Sequence, residues 1–259
     1  MSERDDVLNQ LVQQGPGGAL VMDFDGVLSP IVTNPAASQL LDGTAALLES
    51  LVGRLGVVAV LSGRPVSFLA ERVLVPGVML LGSYGSERRI DGQTVVRGEV
   101  QAWLPQVRTA REQLLSRLDG RSGIHVEDKD WAVAVHWRNA PDRPVAERLV
   151  ALVAAEVAWE TGLRPEPGKA VIELRPPVDE DKGTALHRLQ QQTGCLIVGY
   201  AGDDLGDLPA FAAVTELGGY PLVVRSVEMA TEVSDVDGVH FESPKDFADW
   251  LRRVTEAFG

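Results

Sequence analysis

Short, uninterrupted apolar runs recur along the chain at residues 19–22, 57–61, 78–81, 195–201 and 221–225, and most end in small or polar residues. Runs of this length without alternation suit parallel strands covered on both faces. Between them lie segments of helical period. Residues 40–55 carry Leu40, Leu47, Leu48, Leu51 and Leu55 on one side, and residues 4–13, 66–73, 182–193, 205–213 and 243–258 also read as helices. Strand, helix, strand, helix, strand predicts an α/β fold with a parallel sheet and right-handed crossovers.

The pattern changes after Arg89. Residues 90–94 read as a hairpin-like turn, 103–118 and 144–160 as helices, and 124–128, 131–138 and 170–174 as strands. The second of these strands alternates, with Trp131, Val133, Val135 and Trp137 on one face and Ala132, Ala134, His136 and Arg138 on the other. Neighbouring strands here suit antiparallel pairing, so the segment is an α+β insert. The expected organisation is a Rossmann-like core, residues 1–99 and 177–259, interrupted by an α+β cap at 100–176.

Composition narrows the partners. A net charge of −13 over 259 residues argues against nucleic acid and against an anionic membrane surface. Cys195 is the one cysteine, so no intrachain disulfide can form, which fits a reducing compartment. The first residues lack a basic-then-apolar signal pattern, and no apolar run reaches the length of a bilayer span. A cytoplasmic monomer acting on a small molecule is expected.

The chemistry gathers at the strand ends. Asp23 and Asp25 stand two residues apart after the first run, pointing to one side of an extended segment. They either close a turn or serve a cation and a reaction. Ser62-Gly63-Arg64, Gly82-Ser83 and Gly202-Asp203-Asp204, with Asp207 behind, end three further runs, and Lys182-Gly183 opens a helix. If the strands are parallel, these groups share the carboxyl rim, where open α/β sheets bind ligands. Carboxylates without His or Cys suit a hard, oxygen-preferring cation, Mg²⁺ above all. The Ser62 hydroxyl, the amides beside Gly63 and the Lys182 ammonium suit phosphate oxygens.

In the insert, Glu127, Lys129, His136, Arg138, Glu173 and Arg175 are polar groups on otherwise apolar strands. They either bind sugar hydroxyls, for which carboxylates are good acceptors, or form cross-strand pairs such as Glu127 with Arg138 on a solvated face. His136 fits a structural hydrogen bond as well as a substrate contact. Trp131 and Trp137 share a face with Val133 and Val135 and read as packing residues.

Asp23-Phe24-Asp25-Gly26, Ser62-Gly63-Arg64, Lys182 and Gly202-Asp203-Asp204 resemble the four motifs of the haloacid dehalogenase-like phosphatases. The chain is more narrowly similar to the trehalose-6-phosphate phosphatase family, over about residues 19–255. That likeness rests on Asp25-Gly26-Val27-Leu28-Ser29-Pro30, Gly82-Ser83-Tyr84-Gly85 with Glu87, Glu127-Asp128-Lys129, Val135-His136-Trp137-Arg138, Gly168-Lys169, Glu173-Leu174-Arg175-Pro176 and Asp181-Lys182-Gly183.

The resemblance implies Asp23 as nucleophile forming an aspartyl-phosphate and Asp25 as general acid and base. It implies Mg²⁺ on Asp23, the Asp25 carbonyl and Asp203, with Asp204 and Asp207 as outer support. Ser62, Gly63 and Lys182 would bind the phosphate. Gly82, Ser83 and the insert's Glu127, Lys129, His136, Arg138, Glu173 and Arg175 would bind the substrate, the insert acting as a lid. Val27 stands where the family often has Thr, and Tyr84 where it often has His. The rivals are a phosphatase for sucrose phosphate or mannosylglycerate phosphate, a non-catalytic phosphosugar binder, and a phosphomutase.

Overall fold

The computed structural model describes all residues except Met1, Asp91, Lys169, Val227 and Glu228. Two units emerge, residues 1–95 with 180–259, and residues 96–179.

The larger unit is built on a sheet of β1 (Gly18–Met22), β2 (Val57–Leu61), β3 (Met79–Gly82), β4 (Glu87–Ile90), β5 (Gln93–Val96), β10 (Leu196–Gly202), β11 (Tyr220–Val224) and β12 (Val239–Phe241). Their spatial order is β12-β11-β10-β1-β2-β3-β4-β5. All pairs from β12 to β3 are parallel, and β4 turns back antiparallel on β3. Central strand β1 is buried along its whole length, which is why its sequence shows no alternation.

Its faces nevertheless separate. Leu20 and Met22 pack with α1 (Glu3–Gln14), α2 (Thr44–Val52) and α10 (Pro244–Ala257), through Leu11, Leu51, Phe247 and Trp250. Ala19 and Val21 pack with α7 (Lys182–Thr193) and α8 (Leu208–Glu216), through Leu186, Leu189, Phe211 and Val214. The shorter helices α3 (Val66–Arg72) and α9 (Thr231–Ser234) complete this unit.

The smaller unit holds the antiparallel sheet β6-β7-β9-β8: β6 (His125–Asp128), β7 (Val133–His136), β9 (Val171–Arg175) and β8 (Arg164–Gly168). Helices α5 (Leu104–Arg117) and α6 (Arg143–Thr161) cover one face, burying Val107, Leu114, Val150 and Val157 against Val133, Val135 and Leu174. The four-residue α4 (Gly98–Gln101) precedes α5. Trp131 and Trp137 are buried, as packing residues should be.

Two strands depart from the sequence reading. The stretch Pro165-Glu166-Pro167-Gly168, whose residues read from sequence as a turn, lies in β8, an edge strand. Its prolines, two residues apart, can share the register whose amide positions face away from the sheet. Strand β12 is only three residues long and gives too short a signal to read. Asp91 of the expected turn, and Lys169 of the Gly168-Lys169 pair, lie outside the described residues. Among the described residues no helix is long and apolar enough to cross a membrane.

Candidate active site

The carboxyl ends of β1, β2 and β10 and the start of α7 bring the expected groups together in the larger unit. Asp23 directly follows β1, and its amide donates to Ala201 O at 2.8 Å, continuing the β1–β10 ladder. Only 5% of Asp23 is exposed. Its Oδ1 accepts from the Phe24 amide at 2.6 Å, and its Oδ2 from Lys182 Nζ at 2.7 Å.

The chain then folds sharply. Leu28 and Ser29 amides both donate to Phe24 O, at 3.0 and 2.9 Å, and the Gly26 amide donates to Ser29 O at 2.8 Å. Gly26 has φ of +77°, and a Cβ there would stand 2.1 Å from the Asp203 carboxylate. Glycine is therefore required twice, for the left-handed turn and for the approach of the β10 end.

Asp203 and Asp204 follow β10, and Asp207 lies one turn beyond. Asp207 is wholly buried and saturated. Its Oδ1 accepts from Lys182 Nζ at 2.6 Å and from the Tyr200 hydroxyl, and its Oδ2 accepts from the Asp203 and Asp204 amides at 2.9 and 3.0 Å. Asp204 Oδ1 caps the next turn by accepting from the Gly206 amide at 2.8 Å. Oxygens of Asp23, Asp203 and Asp207 all lie within 4.8 Å of one another.

Three buried carboxylates thus face one ammonium, and the electrostatics show it. Burial pushes Asp23 up to about 7 against the pull of Lys182. Burial and then the Asp23 charge push Asp203 up to about 8. Burial also opposes the charge on Lys182 and on Asp207. For Lys182 the Asp207 and Asp23 charges outweigh it and hold the ammonium well above its ordinary value; for Asp207 the ammonium and the Tyr200 bond outweigh it and hold the carboxylate below. Excess negative charge on a set of oxygens fits a hard divalent cation. With four hydrogen bonds already accepted, Asp207 has little capacity left for direct ligation. Asp23 and Asp203 retain it.

Asp25 points elsewhere. Arg64 Nε donates to its Oδ2 at 2.7 Å, Arg64 Nη2 to its Oδ1 at 3.3 Å, and the Ser38 hydroxyl to Oδ1 at 2.7 Å. Its side chain stays one quarter exposed. The sequence reading named Arg64 only as part of a turn and passed over Ser38; a guanidinium two residues after Ser62 was the available signal.

Ser62 is 3% exposed, and its Oγ accepts from the Arg64 amide at 3.3 Å. A Cβ on Gly63 would meet the Tyr84 ring at 2.9 Å, so this aromatic lies over the Ser62-Gly63 turn. Gly82 and Ser83 serve the turn itself. A Cβ on Gly82 would stand 2.4 Å from Val66 N, and Ser83 is fully buried with its hydroxyl donating to Glu87 Oε1 at 2.8 Å. Glu87 Oε2 also accepts from the Val66 amide at 2.7 Å. Gly82 and Ser83, expected substrate contacts, thus stand where the end of β3 meets the start of α3.

In the smaller unit, cross-strand register places Glu127, Ala134, Glu173 and Glu166 in one row across the sheet. Glu173 bonds Lys129 Nζ, and its other oxygen lies 3.8 Å from Arg175 Nε. Arg175 Nη1 donates to Glu166 at 2.6 Å, with its guanidinium 5.0 Å from the Trp131 ring centre. His136 Nε2 lies 2.8 Å from Glu127 Oε2 and holds that carboxyl below its ordinary value. His136, rather than Arg138, is thus the partner seen on Glu127. Arg138 stands exposed beyond the end of β7. Five of the six expected groups form one acid–base cluster on the sheet face away from α5 and α6.

The chain matches the family model described as trehalose-phosphatase over residues 21–242. A trehalose-phosphate phosphatase of Mycobacterium marinum is 38% identical over 238 residues, 88% of this chain and 60% of that protein. One of Mycobacterium avium is 40% identical over 215 residues, 80% of this chain and 54% of that protein. The chain therefore spans little more than half the length of these relatives. The crystal structure of a trehalose-6-phosphate phosphatase related protein aligns with a TM-score of 0.75 at 22% identity, covering 93% of this chain and 98% of that one, a likeness of fold.

Proposed function

This chain belongs to the trehalose-phosphatase family, and we propose that it hydrolyses trehalose 6-phosphate to trehalose and phosphate through an aspartyl-phosphate on Asp23. The observation that carries this reading is a buried carboxylate with an ammonium on one oxygen, placed beside a second carboxyl two residues on. A pure binder has no use for a buried nucleophile paired with a separate acid.

An oxygen of Asp23 attacks phosphorus as the bond to the sugar oxygen breaks. Asp25 gives a proton to that leaving oxygen, then takes one from the water that attacks the phosphorus and frees Asp23. Arg64 and the Ser38 hydroxyl orient the Asp25 carboxyl, which keeps acceptor capacity for them when one oxygen carries the proton. Lys182, and the Ser62 hydroxyl with the Gly63 turn, hold phosphate oxygens. Asp23, Asp203 and the Asp25 carbonyl would hold Mg²⁺, with Asp204 and Asp207 orienting them. The ion would supply positive charge against the phosphate and against the mutual repulsion of the aspartates. Glu127, Lys129, Glu173 and Arg175, with His136 and Arg138, are assigned to sugar hydroxyls, so the insert carries specificity.

The test is a substrate panel, with and without Mg²⁺, of trehalose 6-phosphate, sucrose phosphate, mannosylglycerate phosphate and an aryl phosphate. Fastest turnover of trehalose 6-phosphate, lost on chelation, is expected. Faster turnover of either other sugar phosphate would overturn the substrate, and phosphate release by Asp23→Asn at the wild-type rate would overturn the mechanism.

A further inference from the structure

Helix α6 has one face too many. Its buried line runs through Ala146, Val150, Val153 and Val157. At 100° per residue, the line through Val145, Leu152 and Trp159 lies about 130° round the helix, on its outer side. These three are 51%, 60% and 89% exposed. A helix that is apolar on both faces is ordinarily covered on both. Nothing in the described residues covers this one.

The stripe is also self-complementary. Val145 stands seven residues before Leu152, and Trp159 seven after. Arg148 stands four before, and Glu156 four after; both are exposed. Laid antiparallel on a copy of itself about a two-fold axis through Leu152, the helix sets Val145 against Trp159 of the second copy. It also sets Arg148 against the second copy's Glu156, twice over. Each residue then meets an apolar or opposite-charge partner, as an isologous contact demands. Among the described residues, the intrachain contact on these charges is Arg117, 3.4 Å from Glu156 at the surface, weak enough to be shared.

We propose that α6 is a homodimer interface, two copies of the chain packing antiparallel through Val145, Leu152 and Trp159 with Arg148–Glu156 pairs on either side. The stripe spans about 21 Å of helix. One helix face of that length buries less than the roughly 800 Å² per partner of a stable complex, so the dimer is weak and concentration-dependent. This departs from the monomer expected from sequence.

Sedimentation of the whole chain across a range of concentrations tests it. The weight-average mass should climb from 27.9 kDa towards twice that value. Trp159→Glu should weaken self-association about thirtyfold or more, as loss of an aromatic anchor does. Arg148→Glu and Glu156→Arg should each weaken it, and the double exchange should restore it, because the pair is re-formed with signs reversed. Unchanged melting of each variant would show that the exposed positions leave the fold intact. A mass that stays at one chain, a dimer that Trp159→Glu leaves untouched, or a double exchange no better than its singles would each overturn the proposal.

Discussion

Replacing Lys182 by methionine isolates the electrostatics of the site. The exchange nearly conserves volume and removes only the ammonium, whose side chain is 3% exposed and bonded to Asp23 and Asp207. Removing one partner of a buried ion pair costs about 3–5 kcal/mol, because the other charge stays behind without compensation. In a chain of this size that is a fall in melting temperature of about 10 °C.

The cost depends on pH in a defined direction. An acid whose pKa is raised on folding holds a proton that the unfolded chain has released, so stability falls as pH rises from the unfolded to the folded value. For Asp23 in the metal-free wild type that window runs from 3.8 to about 7. Without Lys182, Asp23 loses the charge that restrains it, so its window extends to higher pH; Asp207, held below its ordinary value in the wild type, loses the largest influence holding it down and with it the stability its charge contributes above that value. Urea unfolding in EDTA should show a small Lys182→Met penalty near pH 5, where protons neutralise the carboxylates, and the full penalty near pH 8. Phosphate release should fall with it. A penalty independent of pH, or one that shrinks as pH rises, would refute the assignment of Lys182 as counter-charge to these carboxylates.

Gly26→Ala must combine a left-handed backbone with a Cβ on top of Asp203. Turnover should drop at least about a hundredfold, as displacements near 1 Å do, and Mg²⁺ should no longer raise the melting temperature; wild-type values for both would exclude the tight approach. Glu173→Ala strips Lys129 of its acceptor and Arg175 of a nearby counter-charge. It should lower turnover of the sugar phosphate about tenfold more than that of an aryl phosphate, the value of a charged hydrogen bond, and equal losses would make the residue structural. Glu87→Ala leaves the Ser83 hydroxyl and the Val66 amide without their buried acceptor. It should cost about 3 kcal/mol in urea unfolding at two unsatisfied donors, and a change under about 0.5 kcal/mol would show the brace to be dispensable.

The parallel core was legible because a strand covered on both faces has to be apolar throughout, and β1, β2 and β10 are. Their ends were legible for the complementary reason: Asp23, Ser62 and Asp203 are polar residues at the point where apolar runs stop, still buried at 5%, 3% and 4% exposure. Pairings across the site were not. Nothing local says that Tyr200, inside an apolar run, sends its hydroxyl to Asp207, or that Arg64 reaches thirty-nine residues back to Asp25. Such contacts depend on strand order, which periodicity alone leaves open. Strand β8 failed for a different reason, since prolines erase a propensity signal that an edge position tolerates.

The sequence suggested two carboxylates with similar standing, and the structure gives them opposite surroundings. Asp23 is fixed by the Phe24 amide and by Lys182 in a dry, crowded cluster where its charge is costly. Asp25 is partly wet, held by an arginine about one quarter exposed and by the buried Ser38 hydroxyl. A nucleophile must keep one position while its oxygen attacks; an acid and base must move between leaving group and water. Burial thus supports the proposed division of roles, which spacing alone leaves open, and exchanging the two would require a dry Asp25 and a solvated Asp23.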